Sequence, residues 1–159
     1  LEIRMEKAAD RFRQLGSIWH SASLSVKVKL RLYVAGGASV LVYGSECWDL
    51  AGSTCSAVRA WNARRLATLT GRSIKEEYEH PTHDLLGGVR RRRLKWLGDL
   101  LRAEESFLPR RVALTELARF PGKGHPGGIF MDAPRAGSVE ELVELARDKA
   151  RWAKFVKNI

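Results

Sequence analysis

Long apolar runs are missing from this chain of 159 residues. No stretch approaches the roughly 18 consecutive apolar residues that a bilayer-spanning helix needs, which argues against a membrane partner. Cysteine is scarce: Cys47 and Cys55 are the only two. Two thiols do not make a disulfide framework, and a reducing, intracellular setting fits them, nuclear or cytoplasmic. The opening Leu1-Glu2-Ile3-Arg4 has neither an initiator Met nor the charged-then-apolar layout of a signal peptide. With a helical pattern already running at residue 3, it reads as a piece of a longer polypeptide.

Catalytic constellations are lacking as well. Gly122-Lys123-Gly124 is not a phosphate loop, because the rest of the Walker motif is absent. No nucleophile elbow and no metal-binding His pair on a helix can be found. The carboxylates stand mostly beside Arg and Lys, as surface pairs do, and do not form the set that holds two metal ions in a polymerase. His80-Pro81-Thr82-His83 resembles half of a zinc site, but Cys47 and Cys55 are eight apart, too far for the other half. The expectation is therefore no catalytic residue, no metal and no cofactor.

What is present is apolar content and positive charge. Hydrophobic residues make up 45% of the chain, enough for a core, and 28 Lys and Arg against 18 Asp and Glu give a formal net charge of +10. An excess of that size on a folded chain points to a polyanionic partner, nucleic acid first and an anionic membrane surface second.

Spacings of three and four dominate. Met5, Ala8, Ala9, Phe12, Leu15 and Trp19 form one helical stripe. A second helix is expected from Val26, capped by Ser23 or Ser25, to about Tyr43, with Gly36-Gly37 marking close packing or a kink. A buried strand is the alternative for 39–43. Further helices are expected over Thr54–Thr70, stopped by Gly71, then from Val89 to about Ala103, and from Pro109 to about Arg119. Residues 72–88 read as polar and broken. Three prolines and five glycines make 121–137 a linker or irregular loop. Ser138-Val139-Glu140-Glu141 then caps a final helix to about Lys157.

The fold expected is all-α, an irregular bundle of about five or six helices with a Gly/Pro-rich loop before the last. It divides into a helical region over 1–120, a linker over 121–137 and a C-terminal amphipathic helix over 138–159. Val40, Leu41, Tyr43, Trp48, Trp61, Leu66, Leu97 and Leu101 are the expected core.

The strongest local feature is Arg90-Arg91-Arg92-Arg93-Leu94-Lys95-Trp96-Leu97-Gly98. Residues 89–123 hold ten basic and four acidic side chains, so most of the net charge is concentrated there. Arginine forks suit phosphate oxygens. The candidate nucleic-acid-binding residues are Arg90, Arg91, Arg92, Lys95, Arg102, Arg110 and Arg111; Arg93 is a weaker candidate because it turns toward the core. The bland alternative is a solvated charged face or an Arg–acid network. Trp96 invites base stacking, but flanking Leu94 and Leu97 favour a core position.

Several blocks in order resemble the region that follows the catalytic palm in LINE-type, non-long-terminal-repeat retrotransposon reverse transcriptases. They are Arg4-Met5-Glu6-Lys7-Ala8 through Trp19, then Leu24 to Tyr33, then Leu41-Val42-Tyr43-Gly44-Ser45-Glu46-Cys47-Trp48. Arg64-Arg65-Leu66 before Gly71, Arg91 to Gly98, the Gly-rich 121–128 and Ala146 to Trp152 follow. Where the family usually has His after the last Gly of the Arg-rich block, this chain has Asp99, and its 121–137 loop is less basic than usual. The resemblance implies a helical thumb-like and C-terminal region that holds template RNA or a primer–template duplex by its backbone. Its other partner would be the upstream palm of the parent polypeptide, an RNA-directed DNA polymerase within a ribonucleoprotein. The alternatives are a helical protein-interaction module and a remnant of a decayed element.

Overall fold

A computed structural model describes residues 1–119 and 138–158. Among them all regular structure is helical and no strand occurs; the run at 39–43 is helix to Leu41 and turn beyond it. The helices are more numerous than expected. They are α1 (Glu2–Gln14), α2 (Gly16–His20), α3 (Val26–Tyr33), α4 (Ser39–Leu41), α5 (Gly52–Thr70), α6 (Ile74–Glu79), α7 (Leu85–Arg102), α8 (Leu108–Arg119), α9 (Val139–Arg147) and α10 (Lys149–Lys157). The linker expected at 121–137 lies outside the described residues. The chain forms two compact units, one from residues 1–44 and 53–86, the other from 45–52 and 87–159.

In the first unit, the expected stripe from Met5 to Trp19 breaks at Leu15, where α1 ends and α2 begins. Trp19 Nε1 donates to the Phe12 carbonyl at 2.7 Å, and the two rings stack with centroids 4.9 Å apart. Helix α3 starts at Ser25, whose hydroxyl accepts from Val28 N. It runs through a π-helical turn, Val34–Ala38, into α4. At Gly36 in that turn a Cβ would lie 3.2 Å from Leu15 Cδ1, a tight contact that the leucine side chain would have to relieve. Tyr33 is fully buried between Phe12 and Trp61, and its hydroxyl donates to Asn62 Oδ1 at 2.7 Å. Asn62 Nδ2 donates in turn to the His83 carbonyl at 2.9 Å. Gly71 ends α5 with φ +75°, as a C-terminal glycine should.

Residues 72–88 are better ordered than their polarity suggests. Ser73 and Glu76 form a reciprocal capping box that starts α6. Behind it Glu77 is buried and accepts from the Thr82 amide and hydroxyl, both at 2.7 Å, from Thr70 Oγ1 at 3.0 Å and from Arg72 Nη1 at 3.2 Å.

The second unit packs Leu94, Leu97 and Leu101 of α7 against Leu142 and Ala146 of α9 and Trp152 and Val156 of α10. The single final helix expected is two helices. Ser138 Oγ caps α9 through Glu141 N, and Asp148 interrupts the chain to cap α10 through Arg151 N at 2.9 Å.

Of the expected core, Leu41, Trp61, Leu66, Leu97 and Leu101 are buried. Val40 and Trp48 are half-buried, and Tyr43 is 67% exposed. Tyr43 lies past the end of α4, just before Gly44 at φ +69°, and its ring carries the Arg4 guanidinium 4.5 Å from the centroid. An amphipathic ring used as a platform for a surface cation stays wet.

Candidate nucleic-acid interface

The arginine run does not lie at a helix start. Helix α7 begins at Leu85, four residues before the expected Val89, and takes Gly87 and Gly88 inside it. Arg90 to Arg93 therefore occupy its second and third turns, away from the amide end whose dipole opposes cations.

With successive residues turning about 100°, the run divides between opposite faces. Leu94, Leu97 and Leu101 define the buried side. Arg93 falls on that side and is 1% exposed; Arg90, about 20° from Leu97 on the same wheel, is half-buried. Arg92, Lys95, Trp96 and Asp99 follow the i, i+3, i+4, i+7 rhythm of one outward face, and all four are exposed. Arg91 is half-buried at the edge of this face.

Trp96 was expected in the core and is instead 42% exposed. Its leucine neighbours in sequence misled. Leu97 is one residue away and Leu94 two, so both project well away from Trp96 around the helix. Counting the angle rather than the neighbours places the indole on the outward face, about 40° from Arg92 on the side away from Lys95. Among the described residues no ion pair engages Lys95.

The remaining candidates behave differently. Arg102 has a side chain only 16% exposed; it donates to the Ala146 carbonyl at 2.7 Å and pairs with Asp99. It ties the last turn of α7 to the last turn of α9. Arg110 is 8% exposed. Arg111 is exposed on α8, on a surface that also shows Phe107, Leu108 and Val112. The structure thus brings Arg92 and Lys95, with Arg91 beside them, to one open surface and turns Arg93, Arg102 and Arg110 inward.

No group of three or more His, Cys, Asp or Glu among the described residues is arranged to hold a metal ion. Asn62 binds the His83 carbonyl, while Cys47 is exposed and Cys55 half-buried. No described helix is long and apolar enough to cross a membrane. Neither a family model, nor a curated protein, nor a solved structure matches this chain.

Proposed function

We propose that this chain binds nucleic acid by its phosphates, as a non-catalytic segment of a LINE-type reverse transcriptase whose palm lies elsewhere in the parent polypeptide. The observation that carries the reading is the outward face of α7, where Arg92, Lys95 and an exposed indole, Trp96, share one side. Cations recognise any phosphate backbone, and an indole offers a surface to any base. Such a surface holds a strand with little regard to sequence, since nothing on it reads base edges. The order of sequence blocks adds the family, and the absence of a carboxylate set in the sequence leaves chemistry to the palm. In this reading Arg91, Arg92 and Lys95 make the contacts and Arg111 extends them; Arg102 holds helices together.

The test is a titration of a fluorescent oligonucleotide at low and physiological salt, with wild type beside an Arg91→Ala, Arg92→Ala, Lys95→Ala variant. Each phosphate contact contributes about 0.9 to the slope of log affinity against log salt, so the slope should fall by roughly two to three. A folded variant with unchanged affinity and slope defeats the reading. Exposed Phe107, Leu108 and Val112 favour a second reading, a protein-interaction module. That reading predicts binding to a protein partner with a shallow salt dependence.

A further inference from the structure

The second unit buries a cation where burial is costly. Arg110, in the first turn of α8, is 8% exposed, and its Nε is fully buried with no hydrogen-bond partner. No ion pair among the described residues engages it. A buried guanidinium without a carboxylate is strongly unfavourable unless an anion or water meets it. Arg110 borders a recess of about 560 Å³, and three more cations, Arg102, Arg147 and Lys149, stand around it.

Two of those cations are already engaged. Arg102 is held by Asp99 and the Ala146 carbonyl, and Arg147 by Glu144 at 2.9 Å. Arg110 and Lys149 remain. Lys149 is the first residue of α10, where the helix dipole disfavours a positive charge. Two cations in positions that oppose stability, around one opening, are what an anion site requires. Asp99, Glu104 and Glu105 also border the recess, but all three are exposed, Asp99 is paired with Arg102, and none pairs with Arg110. Solvated carboxylates at a rim weaken an anion site and do not close it.

We propose that this recess binds a single phosphate group, with the Arg110 guanidinium as the principal donor and Lys149 as the second charge. It meets the exposed face of α7 at Asp99, but none of Arg91, Arg92 or Lys95 lines it. The chemistry recognised is the phosphate itself, whether free, at a strand end or within a strand.

The experiment uses the full chain. Inorganic phosphate is titrated at constant ionic strength, followed by phosphorus NMR line width and by the thermal midpoint. Wild type is set beside Arg110→Met, Lys149→Ala and Glu105→Gln. Phosphate should broaden and raise the midpoint of wild type. Arg110→Met should weaken binding by about tenfold or more, Lys149→Ala should weaken it less, and Glu105→Gln should tighten it. Equal phosphate responses in wild type, Arg110→Met and Lys149→Ala overturn the proposal. Should Arg110→Met not fold, the opposite shifts of exposed Lys149→Ala and Glu105→Gln decide. Competition by a 5′-phosphorylated oligonucleotide over its 5′-hydroxyl twin identifies a strand end, equal competition a phosphodiester, and none a free anion. The variant lacking Arg91, Arg92 and Lys95 should respond to inorganic phosphate as wild type does, so the two sites stand or fall separately.

Discussion

Trp152 occupies the space that a side chain at Gly98 would need. Its Nε1 donates to the Leu94 carbonyl at 2.9 Å, and a Cβ on Gly98 would overlap the indole. Alanine at 98 should gain about 1 kcal/mol in helix propensity. Against that stand overpacking of about 1–3 kcal/mol and a buried indole N–H left unmet, about 1–3 kcal/mol. Gly98→Ala is therefore expected to destabilise the second unit by about 2 kcal/mol in urea unfolding. A stabilising Gly98→Ala would show that the indole has room to move.

The buried chain of Tyr33, Asn62 and His83 predicts strong coupling in the first unit. Tyr33→Phe removes one hydrogen bond and strands Asn62 Oδ1, at a cost of about 1–3 kcal/mol. Burial raises the Tyr33 pKa well above the ordinary phenol range, and nearby Arg65 opposes this only in part. The hydroxyl therefore stays protonated and donating through ordinary alkaline conditions. Combining Tyr33→Phe with Asn62→Leu should cost less than the sum of the two single changes, since each alone strands the other. Strict additivity in a double-mutant cycle would mean that the two side chains do not depend on each other.

Acid should loosen the turn behind α6. Burial pushes the Glu77 carboxyl up, but the amide and hydroxyl of Thr82, the Thr70 hydroxyl and Arg72 together hold it below the usual carboxylate value. A carboxylate whose folded value is depressed contributes stability above its unfolded value, about 4.3, and loses it as pH falls through the folded value. Glu77→Gln should destabilise at neutral pH by about 1.5–3 kcal/mol, the range for hydrogen bonds to a charged group. The gap to wild type should shrink as the pH drops below about 4. A gap that stays constant from neutral to acid would assign the loss to shape rather than charge.

Trp96→Ala should cost less stability than truncating a core tryptophan, since the indole is 42% exposed. It should weaken single-strand binding by about 1–3 kcal/mol, the worth of one stacked base, and affect duplex binding much less. Equal losses on single strand and duplex would remove stacking from the reading while leaving the phosphate contacts in place.

Much of the architecture was legible because it follows helical periodicity. Leu94, Leu97 and Leu101 announce the buried side of α7, Gly71 the end of α5, and Ser138 the start of α9. The start of α7 was hidden because Gly87-Gly88 reads as a break, and packing overrode propensity there. Glu77 was missed because a buried carboxylate depends on Thr70, Arg72 and Thr82 converging, which no local pattern records. At the candidate interface, Lys95 and Arg92 were recoverable from helical angle, and so was the outward turn of Trp96. The inward turn of Arg102 was not, because it depends on the Ala146 carbonyl, distant in sequence.

The π-helical turn at Val34–Ala38 amounts to one residue more than an α-helix of the same length would hold. Tyr33 before it and Leu41 after it are both fully buried. Eight residues at 100° each would put them about 80° apart around an unbroken α-helix. The surplus residue resets that phase. A chain lacking one of Gly36 and Gly37 would leave seven steps, about 20° apart, so a continuous α-helix would present the same side of α4 to its neighbours. In this stretch a one-codon deletion would straighten the helix and keep its facing, whereas the same deletion inside α1 or α5 would rotate everything beyond it by about 100°.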